Sequence, residues 1–342
     1  MPSEIIYVDR NSEIPLYGLD FIGIIDRGTN ILEIKPLTQC NLICKYCFVS
    51  AGDYITNFII DVNYLIENIV PLIEIKGKHD IEIHIAPYGE ILLYKDLIKL
   101  IKKLKLIDGI YKISMQTNGL LLSKESIIEL EKAGLSQINI SLNTLDQDKA
   151  EYLSDYKGYQ LQHLLAMIDF LMESKINLVI APVWIPKVND QDIEELIRFV
   201  KNYQDKVDTP NKIRIGIQKY LIYKTGRRIK KIRPKSWGFF YKQLNTLEKK
   251  YNMKLKLGPR DFGIHKRKSL SLSIQKGNLV KSQIISIGRW DTEYIAKIDD
   301  NWGIKILLNK TQKNIPLIGK KIDTKIIKSK RKENLLTGII EN

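Results

Sequence analysis

Thr38-Gln-Cys-Asn-Leu-Ile-Cys-Lys-Tyr-Cys-Phe48 is the stretch that decides the fold. It places Cys40, Cys44 and Cys47 in a Cys-x3-Cys-x2-Cys spacing, and these are the only cysteines among the 342 residues. An iron–sulfur cube usually takes four thiolates, so three thiolates on one loop leave one iron open to another ligand. The spacing therefore predicts a [4Fe–4S] cluster with one coordination position for a substrate or cofactor.

Two other kinds of cysteine site suit this loop less well. A structural zinc ion needs four ligands, usually from two Cys or His pairs, and no second pair exists here. His79 and His84 are candidates for a fourth ligand, although neither lies in a knuckle-like context. A disulfide framework favours an even number of cysteines in a short secreted chain. The cluster is therefore the favoured interpretation.

Length and composition narrow the class of protein. The chain is long enough for one large domain and one small domain, and no apolar run reaches the length of a membrane span. The N-terminus lacks the pattern of a signal peptide, and an oxygen-sensitive cluster suits a reducing compartment. We therefore expect a cytoplasmic protein without a membrane partner.

The basic charge is concentrated in the second part of the chain. Residues 1–210 carry 21 Lys and Arg against 30 Asp and Glu, whereas residues 211–342 carry 33 against nine. The segment 211–270 is the densest, with 19 basic and two acidic side chains. This asymmetry indicates a polyanionic partner, and we expect nucleic acid rather than a merely lysine-rich surface.

Segments with helical and strand periodicity alternate along the chain. Strands are predicted at 31–37, 81–86, 111–116, 137–142, 176–184 and 212–218, and helices at 61–76, 95–106, 123–133, 159–174 and 190–204. Six strands that alternate with helices predict parallel βα units. Parallel βα repeats carry their chemistry at the carboxyl ends of the strands.

Polar motifs follow these strands in order. They are the cysteine loop, Pro87-Tyr-Gly-Glu90, Gln116-Thr-Asn-Gly119, Ser141-Leu-Asn143 and, within the sixth strand, Gly216-Ile-Gln218. Over about residues 30–220 this order resembles the radical S-adenosylmethionine (radical SAM) superfamily, with a core like that of the molybdenum-cofactor synthases. One motif departs from the Gly-Gly-Glu-Pro of that superfamily, because Tyr88 replaces the first Gly and Ile91 replaces Pro.

The resemblance implies cofactors and a reaction. In this superfamily SAM binds the open iron through its amino and carboxylate groups, and its reductive cleavage gives a 5′-deoxyadenosyl radical that takes hydrogen from the substrate. A low-potential electron donor, ferredoxin- or flavodoxin-like, is implied as a partner, and the further catalytic residues stay unknown. The implied cluster ligands are Cys40, Cys44 and Cys47, and the implied SAM contacts are Tyr46, Gly89, Glu90, Asn118, Ser141, Asn143 and Gln218.

Beyond residue 220 the chain becomes basic and aromatic. Interleaved cations and aromatic rings suit phosphate contact and base stacking. A helix is predicted at 236–251, and His265 in the following loop is a candidate proton donor or a surface residue. The predicted nucleic-acid contacts are Lys224, Arg227, Arg228, Lys230, Lys231 and Arg233.

The last part of the chain predicts a small closed barrel, which leaves no exposed strand edges. Its five strands are predicted at 278–286, 292–298, 303–308, 321–328 and 335–340. The segment that begins at Gly319-Lys-Lys-Ile-Asp-Thr-Lys resembles the TRAM domain, an oligonucleotide-binding-like (OB-like) module of tRNA- and rRNA-modifying enzymes. The whole order resembles an archaeal radical SAM/TRAM family of predicted iron–sulfur oxidoreductases.

The predicted fold class is α/β, a partial parallel (β/α)6 radical SAM barrel followed by a small all-β TRAM- or OB-like barrel. The predicted segments are a strand-rich lead-in at 1–29, the core at 30–220, a basic extension at 221–275 and the terminal barrel at 276–342. Because the implied SAM contacts all precede residue 220, we expect removal of 276–342 to leave SAM cleavage largely intact.

The favoured function is a radical SAM enzyme that modifies RNA, either tRNA or rRNA. One alternative is a radical SAM enzyme that acts on a small molecule or peptide, although no further cysteines exist for the auxiliary cluster of such enzymes. Another is a redox-sensing RNA-binding iron–sulfur protein. That hypothesis leaves Gly89, Glu90, Ser141 and Asn143 without an explanation.

Overall fold

The structure, a computed structural model, describes residues 4–206, 212–270, 272–309, 316–330 and 333–341. The chain packs into two compact units. Unit 1 is Met1–Gln39, Asp53–Lys112 and His265–Asn342, and unit 2 is Cys40–Gly52 and Ile113–Ile264. The cysteine loop therefore packs with unit 2, although the segments on both sides of it pack in unit 1. The bounds of the four segments predicted from the sequence stay a prediction.

Strands and helices alternate through the first two thirds of the described residues, and strands alone form the last part. The strands are β1 (Glu4–Val8), β2 (Gly23–Asp26), β3 (Ile31–Lys35), β4 (Thr56–Ile60), β5 (Ile81–Ile85), β6 (Ile110–Thr117), β7 (Gln137–Ile140), β8 (Asn177–Ile180), β9 (Val183–Trp184), β10 (Ile213–Ile215), β11 (Gln218–Lys219), β12 (Leu279–Ile287), β13 (Glu293–Lys297), β14 (Gly303–Leu307), β15 (Lys321–Lys330) and β16 (Leu335–Ile340). The helices are α1 (Val62–Lys76), α2 (Leu97–Lys105), α3 (Lys124–Ala133), α4 (Gln147–Ser154), α5 (Leu161–Glu173), α6 (Asp190–Gln204) and α7 (Trp237–Tyr251).

In unit 1, β3 lies between β2 and β5. The pairing of β3 with β5 is parallel and that with β2 is antiparallel, while β1 and β4 form a separate parallel pair. Local sequence explains the helix that follows β4. Asp61 accepts hydrogen bonds from the first turn of α1, and Gly77 ends the helix at a φ of 95°. The apolar stripe of α1 is buried, as its periodicity predicts.

The terminal barrel also belongs to unit 1. Its five strands close in the order β12-β13-β14-β16-β15, around a core that includes Ile284, Ile304 and Ile326. The barrel packs directly against the beginning of the chain. The amide of Gly303 donates to the Tyr17 carbonyl at 2.8 Å, and a Cβ on Gly18 would lie 2.1 Å from the Gly303 carbonyl oxygen. Only glycine at position 18 permits this approach.

A buried ion pair lies where the barrel meets the rest of unit 1. Arg289 and Glu293 are each 3% exposed, and the guanidinium donates two hydrogen bonds to the carboxylate, of 3.0 and 2.9 Å. The guanidinium of Arg289 lies over the rings of Phe21 at 4.3 Å, Tyr54 at 5.3 Å and Tyr88 at 5.9 Å. Because a buried charge is costly without its partner, this packing needs both members of the pair.

In unit 2, the strands β6, β7, β8 and β10 pair in parallel in that order. Helices connect them, which together with the closed terminal barrel confirms the predicted α/β fold class. The predicted strands at 176–184 and 212–218 are each interrupted. Pro182 separates β8 from β9 and Gly216 separates β10 from β11, and β9 pairs with β11 in a small second sheet. No described helix is long and apolar enough to cross a membrane.

Candidate cluster and cofactor site

The three cysteines are partly exposed on one short loop of unit 2. The amide of Cys47 donates to the carbonyl of Cys44 at 3.1 Å, which forms a tight turn between these two ligands. Burial and the neighbouring Cys40 and Cys47 raise the pKa of Cys44 to about 12. The thiols are therefore close enough to disfavour one another's charge, and a bound metal would replace their protons.

The donor set fits an iron–sulfur cube. Three partly exposed cysteines lie on one short loop. In such a cube each thiolate binds a different iron, so these three thiols would leave the fourth iron open.

Residues 225–227, here called the brace, hold the backbone of the cysteine loop. Arg227 donates from Nε to the carbonyl of Cys44 and from Nη2 to that of Ala51, both at 2.7 Å, and its amide donates to the carbonyl of Cys47 at 2.8 Å. Ser50 Oγ donates to the carbonyl of Thr225 at 2.8 Å. The brace therefore satisfies carbonyls at two of the three ligand positions.

Gly226 lets the brace approach this closely. A Cβ at this position would lie 2.4 Å from the carbonyl oxygen of Phe48. Beside it the rings of Phe48 and Tyr223 contact each other with centroids 5.6 Å apart. Glycine is therefore required at 226 by the space available, although its φ is not in the left-handed region.

Tyr46, between the second and third cysteines, is held by Asn143. The side-chain amide of Asn143 donates to the Tyr46 hydroxyl at 2.6 Å, and its oxygen accepts from the amide of Val183 at 2.7 Å. The buried Asn189 in turn donates to the carbonyl of Asn143 at 3.1 Å. Burial and the nearby Cys44 raise the pKa of Tyr46, so its hydroxyl stays protonated at neutral pH.

The other implied SAM contacts of unit 2 lie in two places. Asn118 donates at 2.8 Å to the side chain of Asn41, the residue that follows Cys40. Gln116 donates to the hydroxyl of Ser141 at 2.8 Å. These contacts bring the ends of β6 and β7 to the loop and to each other. Gln218 lies exposed on β11. It pairs in register with Val183, the residue whose amide donates to Asn143.

Gly89 and Glu90 lie in unit 1 against the residues that lead into the cysteine loop. A Cβ on Gly89 would lie 2.0 Å from the carbonyl oxygen of Gln39, and the amide of Glu90 donates to that oxygen at 2.7 Å. Gln39 immediately precedes Cys40 in the chain. Glu90 is 1% exposed, and its Oε1 accepts from the amide of Leu92 at 3.0 Å. Gly89, the glycine of the Gly-Gly-Glu-Pro motif that this chain keeps, is therefore required by its close packing against Gln39.

Tyr88, which replaces the first glycine of that motif, has a structural partner. The ammonium of Lys35 lies 4.5 Å from the centre of its ring, and Arg289 approaches the ring as well. Burial raises the pKa of Tyr88. Tyr88, where the chain departs from the superfamily pattern, thus contacts Arg289 of the terminal barrel.

Comparison with known proteins identifies the family. The radical SAM superfamily model matches residues 34–200. An uncharacterized protein of Methanocaldococcus jannaschii is 36% identical over 346 residues, covering 95% of this chain and 78% of that protein. The chain belongs to the radical SAM superfamily. Membership implies the [4Fe–4S] cluster, held by the three-cysteine loop, and SAM as cofactors.

Other relatives of this radical SAM protein match a smaller part of it. The GTP 3′,8-cyclase of Peptoclostridium acidaminophilum is 34% identical over 210 residues, 59% of this chain and 59% of that enzyme. The chain thus spans less than two thirds of that relative. The crystal structure of Streptococcus suis SuiB bound to S-adenosylmethionine is similar with a TM-score of 0.46 and 20% identity, over 65% of this chain and 48% of that one.

The predicted nucleic-acid contacts of this radical SAM protein divide into two groups. Arg227 is partly buried, and its Nε and Nη2 donors are used by the cysteine loop. The role of all six residues in RNA binding stays a prediction. His265 is exposed, and its backbone pairs with Asn30. Of the six predicted nucleic-acid contacts, the exposed ones are Lys224, Arg228, Lys230, Lys231 and Arg233.

Sequence reasoning missed three contacts that shape this site. Asn41 bonds to Asn118 and Asn189 to Asn143, both far away in the chain, and Arg227, predicted only as a nucleic-acid contact, also bonds to the cysteine loop. Asn41 directly follows the first cysteine, and that position is a usable signal. The contact between Arg227 and Cys44 spans 183 residues, which no local pattern reveals.

Arg227→Ala is expected to loosen the cluster loop, because the carbonyls of Cys44 and Ala51 lose a charged donor. Hydrogen bonds to charged groups contribute about 1.5–3 kcal/mol each. Iron retained after a fixed exposure to a chelator should fall severalfold relative to the wild type. The measurement is iron content together with the electron paramagnetic resonance (EPR) signal of the reduced cluster.

Arg228→Ala is the matched control, because Arg228 is the exposed neighbour of the same charge. It should retain iron as the wild type does. Equal iron loss in both variants would show that charge, and not the brace, protects the loop.

Proposed function

We propose that this radical SAM enzyme modifies RNA, either tRNA or rRNA. The observation that carries the proposal is that an exposed basic run continues directly from the brace of the cysteine loop. Residues 221–235 contain seven Lys and Arg and no acidic residue. Phosphate contacts of this kind position a nucleic acid without reading its sequence. A polyanion held here would lie beside the segment that fixes the cluster loop.

The residues of the chain have distinct roles in this proposal. When bound, the cluster and SAM supply hydrogen-atom abstraction, which is chemistry of the cofactor. Arg227 fixes the backbone of the ligand loop, and Asn143 fixes Tyr46 between two ligands. The exposed cations hold the RNA backbone, and their contacts set the position of the nucleotide to be modified.

The terminal barrel supports an RNA substrate as well. It is closed and has five strands, as a TRAM- or OB-like module requires. Its strand β15 presents a basic face, although Lys325 and Lys330 are paired with Glu341 and Glu333. The exposed lysines of β15 are Lys321, Lys325, Lys328 and Lys330.

The proposal includes a reductant and a compartment. A cluster that cleaves SAM reductively needs a low-potential electron donor, and we propose a ferredoxin- or flavodoxin-like protein. Thiol-ligated clusters persist in reducing surroundings, which supports the cytoplasm as the location.

A second candidate is a radical SAM enzyme that acts on a small nucleotide. The observation that favours it is the 34% identity with a GTP 3′,8-cyclase over 59% of this chain. Both candidates use the same cluster loop, and they differ in what the basic run holds.

Nucleoside analysis tests the two candidates directly. Mass spectrometry of nucleosides from tRNA and rRNA should show one modified nucleoside lost in cells that lack the protein. The purified enzyme with SAM and a reductant should restore it on RNA from those cells. An unchanged nucleoside profile, with SAM-dependent consumption of GTP by the purified enzyme, would instead establish the small-nucleotide candidate.

Affinity for RNA is expected to fall linearly on a plot of log affinity against log salt concentration. Replacing Lys230 and Lys231 together with alanine should flatten the slope by roughly one to two units, because each phosphate contact contributes nearly one unit. Filter binding of bulk tRNA at several salt concentrations measures this. The control replaces Lys102 and Lys105, which are exposed on α2, and should keep the wild-type slope. Salt-independent binding by the wild type would contradict the RNA proposal.

A further inference from the structure

Unit 2 contains a cavity of about 350 Å³ that the cluster site does not use. It opens between β9, β11 and the helices α6 and α7, and none of the implied SAM contacts lines it. Its volume falls within the range of small-ligand pockets and suits one nucleotide. The residues that matter for its chemistry are Trp184, Lys187, Lys219, Lys235, Phe239 and Phe240.

The wall of this cavity is aromatic. Trp184 and Phe240 meet edge to face with ring centroids 6.1 Å apart, which fixes both rings. Phe239 also lines the cavity, and it is 45% exposed. A phenylalanine ring that faces a cavity offers a flat apolar surface on which a base can stack, whatever its identity.

Three lysines lie around the same cavity. Lys219 is partly buried, with its ammonium 5.0 Å from the centre of the Trp237 ring, and Lys235 lies 5.3 Å from that of Phe239. Lys187 is exposed on the loop after β9. Burial lowers the pKa of Lys219, so an anion beside it would restore the stability of its charged form.

Two carboxylates also line the cavity, and both are engaged by protein groups. Asp190 accepts from the indole nitrogen of Trp184 at 2.6 Å and from the amide of Lys187 at 2.8 Å. Glu194 accepts from Lys250 and from the hydroxyl of Tyr251, and these hydrogen bonds lower its pKa. The carboxylates therefore hold neighbouring protein groups in place, while the lysines supply positive charge for an anionic ligand.

We propose that this cavity binds a single nucleotide, with its base stacked on Phe239 and its phosphate held by Lys219 and Lys235. The inference rests on the proposed function to the extent that the nucleotide belongs to an RNA strand; a free nucleotide is the other source of the same chemistry. In either case the base and the phosphate meet an aromatic wall and a pair of ammonium groups.

The cavity is connected to the cysteine loop through a buried cluster that includes Tyr220. Tyr220 lines the cavity and is 1% exposed. It packs with Leu153, Ile185 and Ile229 in a buried cluster, and Tyr46 of the cysteine loop packs against that cluster. A nucleotide in the cavity therefore lies against a side chain whose packing extends to the loop that holds the iron.

The test compares two exposed aromatic residues of α7, one that lines the cavity and one that does not. Phe239 lines the cavity and is 45% exposed, whereas Tyr241 is 47% exposed and does not line it. Phe239→Ala should weaken nucleotide binding roughly 5- to 150-fold, the loss expected for one base–aromatic stack. Tyr241→Ala should bind as the wild type does. Lys235→Ala, compared with Lys242→Ala, tests the phosphate contact in the same way.

The probes are GMP, GTP and a short single-stranded oligoribonucleotide, measured by equilibrium dialysis with the full-length protein. Thermal unfolding of each variant checks that the fold is kept. Phe239-dependent binding of the oligoribonucleotide alone supports the proposal with RNA as the source, and Phe239-dependent binding of GMP or GTP alone supports it with a free nucleotide. Absence of binding of all three probes, or equal losses in Phe239→Ala and Tyr241→Ala, overturns it.

The nucleoside analysis fails or succeeds independently of this test. If RNA modification is established while the Phe239 and Lys235 variants bind and react normally, the cavity proposal alone is wrong. If the cavity binds GTP through Phe239 and no nucleoside of RNA changes, the RNA proposal alone is wrong.

Discussion

Cys44→Ala is expected to abolish both the cluster and all cleavage of SAM. The chain has three cysteines in total, so the variant keeps two thiolates for a cube that needs three from this loop. The hydrogen bonds of the brace go to backbone carbonyls and survive the substitution. The loss should therefore come from the missing ligand and not from collapse of the loop.

The measurement is anaerobic reconstitution followed by iron analysis and detection of 5′-deoxyadenosine after addition of dithionite. The wild type should bind about four irons per chain, and the variant almost none. Ile43→Ala is a suitable control, because Ile43 is 46% exposed on the same loop. It should reconstitute normally. A brown chromophore of wild-type intensity in Cys44→Ala would refute the assignment of the cluster to this loop.

Deletion of 276–342 is expected to leave unit 1 unable to fold, so the truncated protein should be insoluble or lack a cooperative melting transition. The sequence alone suggests the opposite, that SAM cleavage survives this truncation. The structure changes the expectation because the barrel covers Phe21 and Tyr54 through Arg289 and pairs with Tyr17 through Gly303. Exposing three large side chains costs about 5–9 kcal/mol, comparable with the whole stability of a domain.

Soluble yield and thermal unfolding by circular dichroism measure this effect. The control replaces Lys321 and Lys328 of β15 with alanine in the full-length chain, since both are exposed on the barrel. That variant should fold normally. A soluble truncated protein with wild-type iron content and SAM cleavage would show that the barrel is an appendage, as the sequence suggests.

Much of the fold could be predicted from the sequence because the relevant signals are local. The helix α6 has the predicted bounds, since its apolar stripe and acidic first turn act within a few residues. The helix α4 was missed because it is eight residues long and buries only Ala150, Leu153 and Ser154. The pairing of β1 with β4 was missed because its partners are separated by more than 50 residues.

In the candidate site, too, local signals could be predicted and contacts between distant residues could not. The three cysteines could be predicted because their spacing itself is the signal. Asn143 was predicted as a SAM contact, whereas both ends of its side-chain amide contact protein groups, Tyr46 and Val183. Its contact with SAM stays a prediction. A short polar motif at the end of a strand predicts that a residue lies near the site, but not which neighbour uses its hydrogen bonds.

The close approach of Gly18 to Gly303 has a consequence for how this protein is made. Residues near the start of the chain must wait for the strands of the barrel, and at about 5–20 residues per second the ribosome needs roughly 15–60 s to supply them. During that interval Leu19 and Phe21, which are fully buried in the finished protein, remain uncovered. Contacts so distant in sequence also slow folding itself. We therefore expect chaperones to bind the newly synthesised chain until its last strands have left the ribosome.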